Sequence, residues 1–183
     1  QRSINPIFRA KNETDPSMRK TIQCFLLFTV SMAFKGCSEV NLVAADSRSL
    51  MEHVSFFKGK KAVILNVWAL WCVPCIEEFP MIVDLENEID ALEVVFVSAD
   101  FDDQIDAVRN FLGNQGIKDV SFYKEEKDES FINGLHPQWT GSLPFTVIYS
   151  KKTGKIVDYW EGKKPESQFR HTIEHAIKHM EEL

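Results

Sequence analysis

The run "AVILNVWA", residues 62–69, constrains this chain's fold more than any other stretch. It is apolar apart from Asn66, the pattern of a strand covered on both faces, so the sheet it joins needs packing layers above and below. A second run of the same kind, "EVVFVSAD" (93–100), follows a helical segment. Two such strands with a helix between them require an α/β arrangement.

The remaining pattern fits this frame. Asp46 or Ser47 is expected to cap a helix carrying Leu50, Val54 and Phe57 inward, and "KGKK" to turn the chain into the first buried run. Residues 76–89 read as a helix with Phe79, Ile82, Val83, Leu85 and Ile89 on one side, kinked by the internal Pro80. Residues 103–116 give another, with Ile105, Val108, Phe111 and Leu112 inward and Gly116 as its stop. "VSFYKEE" (120–126) reads as a third strand and "DESFINGL" (128–135) as a short helix. "FTVIYS" and "KIVDYWEG" form a hairpin across "KKTG", and Pro165 opens the last helix. The expectation is a three-layer α/β sheet with an antiparallel edge, without internal repeat or second domain.

At 183 residues the chain can bury one sizeable core and carry a tail besides. Its net charge of −6 argues against a nucleic-acid partner, which needs a clustered basic face. Met18, Arg19 and Lys20 open a basic segment before "TIQCFLLFTVSMAF", about the length of a signal-peptide apolar region and short for a membrane span. The run ends at "AFKGC", similar to a bacterial lipoprotein signal whose cleavage leaves a lipid-modified cysteine, here Cys37. Lys35 and Phe34 depart from the small or aliphatic residues usual there. The expected organisation is upstream residues 1–17, a signal at 18–36, a tether at 37–45 and the folded domain at 46–183.

Cys24 would leave with such a signal and Cys37 would carry lipid, so the mature domain holds one pair, Cys72 and Cys75. As a structural staple this pair closes too short a loop to stabilise much. As a zinc site it supplies two of four ligands, and the five histidines (His53, His136, His171, His175, His179) lie elsewhere. "WCVPC" between a buried strand and a helix has what a redox dithiol needs. The first sulfur is expected to sit exposed at a helix N-terminus, which favours thiolate, and the second to lie one turn deeper.

Here the residues resemble a known family. "WCVPC", the following Glu78-Phe79-Pro80, the αβ unit "DQIDAVRNFLGNQGIKDVSFY" and the later "GSLPFTVIY" are similar to the thioredoxin superfamily, especially its exported, membrane-tethered TlpA/ResA-like reductases. The resemblance implies a thioredoxin-like three-layer α/β/α sandwich, with a mixed central sheet and an inserted αβ unit. It implies a cis Pro144 against the cysteines, with Leu143 and Pro144 offering backbone groups to substrate. Trp71, Val73 and Pro74 would complete the substrate face. Thioredoxins proper have a buried Asp where this chain has Asn66, which cannot exchange a proton; the tethered reductases have a Glu at the position of Glu78. Glu78 is therefore the expected proton acceptor for Cys75, with Cys72 the nucleophile and Glu77 pointing outward.

No cofactor is expected beyond the redox-active Cys72–Cys75 disulfide, and no metal. Expected partners are protein disulfides such as those of apocytochromes c, a membrane thiol-reductant donor, and the membrane through the lipid anchor. The domain is expected outside the cytoplasm, in a bacterial cell envelope, as a monomer. A disulfide oxidase, a thiol peroxidase and a non-catalytic copper or haem-delivery module are the competing functions. The peroxidase lacks its Thr and Pro pattern around a lone cysteine, and the delivery module lacks an added Met or His ligand. Trp68 is expected in the core. "HPQW" (136–139) is expected to pack as a loop that could border the substrate groove, and His171, His175 and His179 to form an exposed stripe.

Overall fold

The computed structural model describes residues 40–178, all within the unit Ser38–Leu183. The expected signal, Cys37 with its expected lipid, and His179 and Met180 lie outside the described residues.

The elements run β1 (Leu42–Ala45), α1 (Ser47–Phe56), β2 (Ala62–Trp68), α2 (Val73–Glu88), β3 (Leu92–Ser98), a 3-10 turn (Asp102–Gln104), α3 (Ile105–Asn114), β4 (Ser121–Lys124), α4 (Asp128–Leu135), β5 (Phe145–Tyr149), β6 (Ile156–Glu161) and α5 (Glu166–Lys178). The strands form one mixed sheet in the order β1-β4-β3-β2-β5-β6. β2, β3, β4 and β1 run parallel along it, while β5 is antiparallel to both β2 and β6.

β2 lies at the heart of the sheet and is buried at every position. Alternation sends Val63, Leu65 and Val67 into one layer and Ile64 and Trp68 into the other. The first layer is covered by Leu50 and Val54 of α1 and by Phe131 and Leu135 of α4. The second is covered by Phe79, Ile82 and Leu85 of α2, Val108 and Leu112 of α3, and Phe169 and Ile173 of α5. This is the three-layer α/β/α sandwich, and the inserted αβ unit is α3 with β4.

Local chemistry sets the boundaries. At α1, Asp46 accepts from the Ser49 amide at 2.8 Å while the Ser49 hydroxyl accepts from the Asp46 amide at 3.1 Å, a reciprocal capping box. α3 ends where Gly116 takes φ +78, with its amide on the Gly113 carbonyl and the Ile117 amide on that of Leu112. That pairing satisfies the last carbonyls of the helix and needs a residue at ease with positive φ. α2 begins three residues earlier than the periodicity predicts, because Pro74 fits its first turn, and it continues through Pro80 to Glu88.

One boundary is corrected. The tether expected over 37–45 does not extend that far, since Leu42–Ala45 pairs with Ser121–Lys124 as the edge strand β1. A four-residue edge strand carries too few inward residues to show a pattern, and its partner β4 is far away in sequence. Among the described residues, no helix is long and apolar enough to cross a membrane.

The layer beneath the cysteines rests on Phe79, fully buried, stacked on Phe96 at 4.1 Å and edge-on to Trp68 at 5.0 Å. Phe79→Ala is expected to destabilise the protein by about 3–5 kcal/mol, read as a lower urea midpoint with an unchanged slope.

Candidate active site

β2 delivers the chain to the site and α2 carries it away. Cys72 is the N-cap of α2, where its carbonyl accepts from the amides of Cys75 and Ile76 at 3.0 and 3.1 Å. Cys72 and Cys75 are joined as a disulfide, with Cα atoms 5.3 Å apart. Cys72 is the more accessible of the two, at 6% against 1%. The sequence leads one to expect an openly exposed first sulfur. In the disulfide, most of Cys72 is instead covered by its surroundings, while Trp71, Val73 and Pro74 around it are exposed.

The loop into Cys72 is held from β3. Ala99 donates its amide to the Trp68 carbonyl at 2.8 Å, and both carboxylate oxygens of buried Asp100 accept from the Leu70 amide at 3.0 Å. Burial pushes the Asp100 carboxyl above its usual range, against the bonds from Ser98 and Leu70. Sequence reasoning passed over Asp100, whose only signal was an acid at the end of a buried run.

The other wall comes from the chain before β5. Phe145 pairs with Val67, so the preceding residues reach the end of β2, where the loop to Cys72 begins. The Leu143–Pro144 peptide is cis. Leu143 packs against the cluster containing both cysteines, and the Pro144 carbonyl accepts from the Gly162 amide at 2.8 Å. Leu143 and Trp71 also line a cavity of about 190 Å³ with Phe101, Phe131, Ile132 and Trp139. Trp139 thus borders this groove, stacked on Phe145 at 4.4 Å. His136, by contrast, packs against the ring of Tyr159 at 3.9 Å.

Glu78 is buried more deeply than any other acid of the site. It lies one turn beyond Cys75 in the apolar stripe of α2 and is 1% exposed. Asn66 Nδ2 donates to its Oε1 at 3.4 Å and to Thr146 Oγ1 at 3.1 Å, and the Lys164 amide donates to its Oε2 at 3.2 Å. Burial raises the Glu78 carboxyl to about 7, and these two donors with the Lys163 and Lys164 ammonium groups only partly offset it. Asn66 thus takes no proton but supports the group that can. Glu77 points outward and pairs with Lys163 at 2.8 Å. A raised carboxyl alone does not mark the site: Glu86 is also pushed to about 7 by burial, yet it accepts from the Val94 amide elsewhere in the molecule.

Among the described residues, no group of three or more His, Cys, Asp or Glu side chains is placed to hold a metal ion. Trp68 is core, and His171 and His175 lie on the exposed side of α5.

The arrangement has relatives. The family model described as Redoxin matches residues 33–170. The thiol–disulfide oxidoreductase ResA of Bacillus anthracis is 31% identical over 134 residues, covering 73% of each chain. ResA of Bacillus subtilis (strain 168) is 27% identical over 144 residues, covering 79% of this chain and 76% of its own. Among solved structures, a thiol:disulfide interchange protein of the thioredoxin family from Chlorobium tepidum TLS superposes with a TM-score of 0.55 at 23% identity, over 67% of this chain and 83% of that one. The chain belongs to the Redoxin family within the thioredoxin superfamily and is a ResA-like thiol–disulfide oxidoreductase.

Proposed function

We propose that this oxidoreductase works as a reductase of disulfides in exported proteins, apocytochromes c among them, with Cys72 as nucleophile, Cys75 as resolving thiol and Glu78 as proton acceptor. The observation that carries this reading is Glu78, a buried carboxyl one turn from Cys75 whose affinity for a proton is raised to about 7. An acceptor poised near the working pH is what proton transfer from a deep thiol requires.

The reduced enzyme begins the cycle. Cys72 thiolate attacks one sulfur of the substrate disulfide, forming a mixed disulfide and expelling the other as a thiolate that takes a proton from solvent. Cys75 then passes its proton to the Glu78 carboxylate, and its sulfur attacks Cys72 Sγ. The second substrate sulfur leaves as a thiolate that also takes a proton from solvent, two electrons have reached the substrate, and the enzyme holds the Cys72–Cys75 disulfide. A dithiol donor returns the electrons and the Glu78 proton is released. Trp71, Val73, Pro74, Leu143 and Pro144 form the face against which an extended substrate segment lies. The proposal includes a lipid at Cys37, placing the domain outside the cytoplasm of a bacterial envelope near a membrane thiol-reductant donor.

The purified protein with dithiothreitol should reduce insulin disulfides. Cys72→Ser should abolish this and Cys75→Ser should accumulate the mixed disulfide; activity retained by Cys72→Ser removes the nucleophile assignment. A reduction potential near that of thioredoxin, about −270 mV, is expected; one near about −120 mV makes the protein an oxidant. Expression in a bacterium with labelled fatty acid should label the protein through residue 37, and equal labelling of Cys37→Ser excludes that anchor.

Glu78→Gln should slow release of the mixed disulfide about 100-fold near neutral pH, more than Asn66→Ala does. The stability of the parent protein should also change with pH in a set direction. Between about 4.5 and 7 the folded carboxyl keeps its proton while the unfolded one loses it, so stability falls as pH rises through that window. The Gln variant lacks this decline and should be more stable than the parent at pH 8 by about 1–3 kcal/mol, measured by urea unfolding at both ends of the window.

A further inference from the structure

Four successive residues, the last of β6 and the three that follow it, are each tied to a different part of the site. Glu161 accepts from the Thr140 amide and hydroxyl, both at 2.6 Å, holding the loop that leads to Leu143. The Gly162 amide donates to the Pro144 carbonyl at 2.8 Å, in a left-handed conformation with φ +75. Lys163 Nζ reaches Glu77 at 2.8 Å, and the Lys164 amide reaches Glu78 at 3.2 Å. The loop crosses from the cis-proline peptide to the acid and stands on α2 at two neighbouring carboxylates. One contact is an ion pair at the surface, the other a partly buried backbone bond.

We propose that Lys163 is a positioning residue: its ion pair with Glu77 latches the β6–α5 loop onto α2, keeping the Lys164 amide on the Glu78 carboxylate and the loop against Pro144. The proposal rests on the reading of Glu78 as the proton acceptor and names what sets its proton affinity. A donor aimed at a carboxylate favours the ionised form, so a loop that drifts off by a fraction of an ångström lets the proton bind more tightly. The charged groups acting on Glu78 are the ammonium groups of Lys163 and Lys164 on this loop. β2 and β5 present Asn66 and Thr146, both uncharged, and α2 presents Cys75 and the outward Glu77.

The latch can be separated from the direct field of the lysine. If Lys163 acts by position, Lys163→Met and Glu77→Gln both free the loop and both raise the Glu78 proton affinity. If it acts by field alone, removing the cation raises that affinity and removing the neighbouring anion lowers it. Glu78 would be titrated by carboxyl carbon NMR in the oxidised full-length protein, with the amide spectrum reporting the fold. The expected result is an upward shift of about half a unit in both variants, and restoration by Lys163→Arg. The pH profile of mixed-disulfide release should shift by the same amount. Opposite shifts in the two variants, or none in either, overturn the latch. Failure here is distinct from failure of the acceptor role. A shifted titration with undiminished release in Glu78→Gln keeps the latch and removes the acceptor, and the reverse pattern does the opposite.

Discussion

Two-sided burial of β2 is the constraint from which the rest of the molecule follows. A strand with apolar side chains on both faces is stable only between two helical layers, and those layers are α1 with α4 on one side and α2, α3 and α5 on the other. The same strand carries Asn66 into the interior, where a buried amide must find partners. It finds Thr146 across the sheet and Glu78 above it. The polar heart of the site is therefore built on the packing of its most apolar strand.

Glu78 illustrates how location sets the proton affinity of a carboxyl. Helical spacing places it in one stripe with Cys75, Phe79 and Ile82, a face that excludes water. Desolvation disfavours its charge more than two hydrogen-bond donors and two nearby lysines favour it, leaving the proton affinity near neutrality. Its neighbour Glu77, one residue earlier, projects outward and pairs with Lys163 instead. A rotation of 100° about the helix axis separates an ordinary surface acid from a candidate proton acceptor.

The cysteine pair and the acid are joined by structure remote in sequence. Asp100 holds the loop before Cys72 from the end of β3, and the residues around Gly162 bind both Pro144 and Glu78. The apolar groove beside Trp71 draws its walls from the segment after β3 and from α4 and the loop that follows it. Separate parts of the chain thus meet beside Trp71, just before the start of α2.

Much of this was legible from local pattern. The buried runs, the periodic helices, the hairpin across "KKTG" and the placement of "WCVPC" between strand and helix are each encoded within a few residues, because burial period and turn chemistry act locally. The outward Glu77 and the core Trp68 were readable in the same way. The edge strand β1, the covering of Cys72, the clasp of Asp100 on Leu70 and the loop contacts to Glu78 were not, since each depends on partners brought together by the fold. By itself the sequence determined which sulfurs and which carboxyl stand along one helix. Only the tertiary structure decided how deeply they are buried and which amides and lysines face them, because desolvation and field depend on distance through space rather than along the chain.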